Sequence, residues 1–65
     1  MARFQDLETV KLRSAMSIYG FRAGNIGAVV MVCRQQLHAY EVEFVDDAGA
    51  TIVILTLLEE ELEAA

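Results

Sequence analysis

Residues 39–57 run Ala-Tyr-Glu-Val-Glu-Phe-Val-Asp-Asp-Ala-Gly-Ala-Thr-Ile-Val-Ile-Leu-Thr-Leu, and few architectures can hold such a segment. Tyr40, Val42 and Phe44 alternate with Glu41 and Glu43, the period-2 pattern of a strand with one apolar and one wet face. A second apolar run begins at Thr51, beyond an Asp-Asp-Ala-Gly turn whose Gly49 meets the need of a short hairpin for a backbone angle other residues resist. Two strands folded back on each other place the chain in the small, antiparallel, all-β class.

Length sets the next limit. The 65 residues have room for one domain, residues 1–65, and one small core. A chain of this size buries only about 60% of its unfolded surface, and such domains compensate with disulfides, a metal or oligomerisation. Cys33 is the single cysteine, so no internal disulfide can form. A structural zinc site takes four Cys or His ligands, and Cys33 and His38 are the whole supply. No cofactor is expected. A homo-oligomer is.

Apolar residues make up 55% of the chain, more than so small a core can take up. Val29, Met31 and Cys33 alternate with Ala28, Val30 and Val32, and Ile52 and Ile54 alternate with Val53, Leu55 and Leu57. Strands apolar on both faces are covered on both faces. A small barrel has its core on one side, so the other side meets a partner chain, or else the chain's own N-terminal segment covers Val53 and Leu55. Self-association is expected through Val29, Met31, Val53 and Leu55.

Ten acidic residues against five basic give a net charge of −5. That field repels a phosphate backbone, which is bound mainly through Lys and Arg, and favours a basic protein partner. Arg3, Lys11, Arg13, Arg22 and Arg34 form no run. Arg3 is followed by Phe-Gln-Asp-Leu-Glu and not by the apolar stretch of a secretory signal. Uncharged apolar runs such as Gly24 to Cys33 are far short of the ~20 residues that cross a bilayer as a helix. No membrane association is expected, and a lone thiol suits a reducing compartment; the expected location is the cytoplasm.

Along the chain, Thr9 to Arg13 alternates as a strand with Val10 and Leu12 inward, and Ser14 to Tyr19 is a loop whose Met16 and Ile18 fold onto the barrel mouth. Gly24-Asn25 is a turn, and Gly27 opens a strand running to Cys33 at a close backbone crossing or bulge. Arg34 to His38 connects to the hairpin strands. Leu58 and Leu62 bracket a run of glutamates as one helical or 3₁₀ turn. Four to five antiparallel strands with such a C-terminal turn suit a small SH3-like barrel.

Five constellations invite a chemical reading. Gly24-x-x-Gly27-x-Val29 has the spacing of the KOW motif, found in barrels some of which touch RNA; turn geometry explains both glycines, and nucleic-acid binding would need Arg13, Arg22 and Arg34 to converge. Asp46 and Asp47 are too few for a calcium loop, and Asp suits a turn because its carboxylate binds nearby amides. Glu41 and Glu43 share a strand face about 7 Å apart, a glycosidase-like separation, but a solvated face accounts for them. Glu59, Glu60, Glu61 and Glu63 form a solvated cap or a contact for a basic partner, with Glu41, Glu43, Glu59, Glu60 and Glu61 the expected partner surface. Cys33 and His38 flank one hairpin, yet nothing visible would orient the base. No catalytic residue is assigned; the chain is expected not to be an enzyme.

Residues 20–30, Gly-Phe-Arg-Ala-Gly-Asn-Ile-Gly-Ala-Val-Val, with Tyr40-Glu41-Val42-Glu43-Phe44, Gly49 and Leu55-Thr56-Leu57, resemble a family of very short bacterial proteins of unknown function. The pattern covers roughly residues 9 to 62. It is also similar to the SH3-like domain of the nitrile hydratase β-subunit, where a comparable glycine turn precedes a strand that starts with Tyr. The resemblance implies an SH3-like barrel and a small accessory protein, a companion with a toxin-neutralising or subunit-like role. It supplies no catalytic residues. The chain departs from the pattern in lacking proline near the first loop and after the last strand.

Overall fold

The computed structural model describes residues 2–33 and 38–65. Five strands, β1 (Thr9–Leu12), β2 (Ile26–Cys33), β3 (Ala39–Val45), β4 (Thr51–Leu58) and β5 (Leu62–Ala64), form one antiparallel sheet in the order β4-β3-β2-β1-β5. Short 3₁₀ turns at Ser17–Tyr19 and Glu59–Glu61 complete it. This is the strand order of an SH3-like barrel, left open between β4 and β5. The expected C-terminal turn lies at Glu59–Glu61, where the Glu61 carboxylate accepts the Leu58 N–H at 2.8 Å. Beyond it the chain forms β5, and Leu62 pairs with Leu12.

The hairpin between β3 and β4 closes as its residues dictate. Asp46 Oδ1 accepts the N–H groups of Ala48 and Ala50, each at 2.9 Å. Gly49 takes a φ of 85°, a left-handed angle that costs a residue with a Cβ about 1 kcal/mol or more. Gly24 does the same in its own turn, with a φ of 89°.

The inner face carries the core. Val10, Leu12, Val29, Tyr40, Val42, Phe44, Leu57 and Leu62, drawn from all five strands, cluster with Phe4 and Phe21. Strands at opposite edges of a flat sheet could not share one cluster, so the sheet curls on itself. Two register shifts help it bend: Val30 is extra on β2 between Val29 and Met31, and Ile52 is extra on β4 opposite Phe44 and Val45. Gly27 leaves no room for a side chain. A Cβ there would sit 2.7 Å from Val42 Cγ1 and 2.9 Å from Phe44 Cε1, closer than carbon atoms can pack.

The N-terminal segment packs onto the core beside β3 and lengthens the sheet at β2. Phe4 stacks edge-on to Tyr40 with ring centroids 5.4 Å apart. The buried Tyr40 hydroxyl accepts the backbone N–H groups of Arg3 and Phe4 at 3.0 and 3.3 Å. Leu7 donates to the Val29 carbonyl, and Val29 donates to Glu8, so the segment extends the β1–β2 ladder to the bulge. Met16 packs against the core as expected. Ile18 does not: it is 83% exposed, because the three-residue 3₁₀ turn that carries it buries none of its residues.

Candidate functional site

With the inner face filled, what the molecule presents is the outer face of β2, β3 and β4. Antiparallel partners share a face, so the pairs Met31–Glu41, Glu41–Thr56, Ala28–Glu43 and Glu43–Ile54 lay out two rows across it. One reads Met31, Glu41, Thr56; the other reads Ala28, Glu43, Ile54. Met31 is 58%, Ile52 52% and Ile54 51% exposed. Between these apolar groups the two carboxylates are fixed by hydroxyls: Thr56 donates to Glu41 and Thr51 to Glu43. The surface is a sheet of mixed apolar and acidic character, with its glutamates accepting from threonines on the next strand.

The sequence-derived self-association residues divide on this surface. Met31 lies on the outer face. Val29 is a correction: it is fully enclosed in its own core and cannot reach a partner while the chain is folded. Val53 and Leu55 point inward and are half-buried against the same core, so Ile54, one residue out of phase, holds the outer position, and Ile52 is the exposed residue of the bulge beside it. Both sides of β2 and β4 are apolar in sequence, and alternation alone cannot say which side is inner.

The acidic positions also separate. Glu41 and Glu43 are on the outer face. Glu59 is half-buried, with one carboxylate oxygen 3.7 Å from His38 Nδ1, an ion pair whenever the imidazole is protonated. Glu60 is exposed, and Glu61 serves the 3₁₀ turn. A cleft of about 180 Å³ lies between Glu60 and Glu61 on one side and Leu12, Ser14, Ala15 and Met16 on the other, smaller than the roughly 300 Å³ at which drug-sized ligand sites begin.

The chemical alternatives find little to build on. Asp46 is used by its turn. Among the described residues no three or more His, Cys, Asp or Glu side chains are grouped to hold a metal ion. Gly27 is small because Val42 and Phe44 press on it, a packing reason that requires no ligand. Of the three arginines a nucleic-acid surface would need, Arg34 lies outside the described residues, and Arg13 donates through Nε to the Leu62 carbonyl at 3.0 Å. No described helix is long and apolar enough to cross a membrane.

A family model for a domain of unknown function, DUF4926, matches residues 7–64. The chain belongs to the DUF4926 family. The matched span takes in all five strands, both 3₁₀ turns and the outer face of this DUF4926 sheet. No curated protein and no solved structure matches the chain.

Proposed function

We propose that this DUF4926 chain is a non-enzymatic accessory module that binds another protein through the outer face of β2, β3 and β4. The observation that carries the reading is the exposure of Met31 and Ile54, with Ile52 at the adjoining bulge, around the threonine-held Glu41 and Glu43. Scattered single apolar residues need no explanation, but a shared face of them, interleaved with charge of one sign, is the make-up of a contact surface. The net charge of −5 selects a basic partner. A companion of this kind acts as a toxin-neutralising or subunit-like protein, the role that the resemblance to very short bacterial proteins of unknown function implies. The lone thiol, Cys33, fits work in the reducing cytoplasm.

The test is affinity capture from the native host, comparing the wild-type chain with a Met31→Glu, Ile52→Glu double variant whose fold is verified by circular dichroism. A protein retained by the first and lost by the second supports the module reading; identical capture by both defeats it. Self-association is a second reading, favoured by the same three exposed apolar side chains. Light scattering decides it: a dimer at micromolar concentration that the double variant dissociates is expected, and a monomer throughout excludes it.

A further inference from the structure

β4 has a partner on one side only. It is the eight-residue end strand of the sheet, and among the described residues β3 is its sole hydrogen-bonded strand neighbour. The direction of its backbone groups follows from the bond at its C-terminal end. The Glu59 N–H donates to the His38 carbonyl, and the register of β3 and β4 continues from there as Ala39–Leu58, Tyr40–Leu57, Glu41–Thr56, Val42–Leu55 and Glu43–Ile54. Bonded and non-bonded pairs alternate in an antiparallel ladder. Leu57 and Leu55 therefore bond to β3, while Leu58, Thr56 and Ile54 turn their N–H and C=O groups to the free edge. The bond from the Leu58 N–H to the Glu61 carboxylate agrees with this. That amide is taken; those of Ile54 and Thr56 have no partner among the described residues.

Exposed edges are ordinarily blunted by lysine, proline, a short strand or a covering loop. β4, Thr-Ile-Val-Ile-Leu-Thr-Leu-Leu, has no charge and no proline, and it is long. Its inward side chains Val53 and Leu55 are only half-buried, an apolar rim that one more strand would cover. Acids stand at both ends: Asp46 and Asp47 in the turn before it, Glu59, Glu60 and Glu61 in the turn after it.

We propose that the free edge of β4 accepts an extended segment of a partner protein as a sixth strand, apolar at alternate positions and with lysine or arginine at both ends. This rests on the reading of the chain as an interaction module and names the mode of binding and the partner's chemistry. Main-chain bonds to Ile54 and Thr56 supply attachment, apolar side chains beside Val53 and Leu55 supply burial, and the flanking cations meet the acids. A second copy fits the edge badly. Antiparallel pairing of β4 with itself sets the Asp46–Asp47 turn of each copy beside Glu59–Glu61 of the other, so like charges meet at both ends.

The experiment titrates the full chain with a synthetic peptide of alternating valine and threonine flanked by two lysines at each end, followed by amide hydrogen exchange in NMR. Three comparison peptides carry terminal glutamates, N-methyl groups on the amides of one edge, or N-methyl groups on the amides of the other. Expected are saturable binding weakened by salt, a loss of at least about tenfold with glutamate ends, a loss with one of the two methylation patterns only, and slowed exchange at Ile54 and Thr56. Ile54→Pro removes an N–H that β3 does not use and is expected to abolish binding. Thr56→Lys is the second variant should proline disturb the strand, and is expected to weaken binding at least about tenfold. Saturable binding with shifts confined to Met31, Ile52 and the outer glutamates overturns the edge proposal and leaves the module reading standing. Protection of Ile54 and Thr56 in the chain alone, rising with its concentration, overturns the choice of occupant in favour of a second copy. No binding by any of the peptides overturns the proposal, and the module reading falls separately if the host capture experiment also fails.

Discussion

Gly27 and Tyr40 show how single residues hold this small core together. At Gly27 the obstacle to any side chain is Val42 and Phe44 on the neighbouring strand, with the Glu43 carbonyl 3.1 Å from where a Cβ would lie. Gly27→Ala is expected to destabilise the fold by about 1–3 kcal/mol through overpacking, seen as a lower urea midpoint at unchanged slope. At Tyr40 the hydroxyl carries the consequence. It is the acceptor for two backbone N–H groups, one of them in a fully buried bond. Tyr40→Phe keeps the ring against Phe4 and leaves those donors unpaired, at an expected cost of about 1–3 kcal/mol in the same assay. A smaller loss would mean that water replaces the hydroxyl.

Among the elements, the β3–β4 hairpin makes the sharpest comparison between neighbouring residues. Asp46 and Asp47 are alike in charge and exposure, but only Asp46 is seen to accept turn amides. Asp46→Ala is expected to cost about 1 kcal/mol or somewhat more, for two lost bonds. Asp47→Ala is expected to stay within about 0.5 kcal/mol of wild type, like other exposed positions. Thermal unfolding of the two variants side by side checks this, and equal losses would show that their shared charge matters more than the turn geometry. The same hairpin delivers Glu41 and Glu43 to the outer face opposite Thr56 and Ile54, so the turn also sets the register of the proposed contact surface.

For the whole molecule, size and charge both work against stability. Ten acidic side chains face five basic ones, and one ion contact, His38 with Glu59, is found among the described residues. Such a surface repels itself. Raising sodium chloride from about 0.01 to 0.15 M shortens the screening length from about 30 to 8 Å; the melting temperature is expected to rise over that range, and a fall would mean that attractive pairs dominate. Phe4 lies far in sequence from Tyr40, on which it packs, and its loss would leave a cavity in the core. Phe4→Ala is expected to cost about 3–5 kcal/mol, a large part of the total for so small a domain, and to show in calorimetry as a collapsed or absent transition.

Alternation and turn chemistry are local, so they can be read residue by residue. The inward set Tyr40, Val42 and Phe44, the aspartate-glycine hairpin, the close crossing at Gly27 and the 3₁₀ turn before Leu62 all follow from side chains and their immediate neighbours. Two matters are not local. One is the choice between two apolar faces on β2 and β4: enclosure of Val29 and exposure of Ile52 and Ile54 depend on which way the sheet curls and on Phe4 arriving from the other end of the chain. The other is the position of β4 at the edge of the sheet. Strand order is set by the pairing of β1 with both β2 and β5, long-range contacts whose partners leave no mark on the strand they exclude. The amino-acid order by itself determined an all-β chain with wet and dry faces. Tertiary packing alone decided which apolar residues meet solvent, because burial depends on what the rest of the chain places over a face.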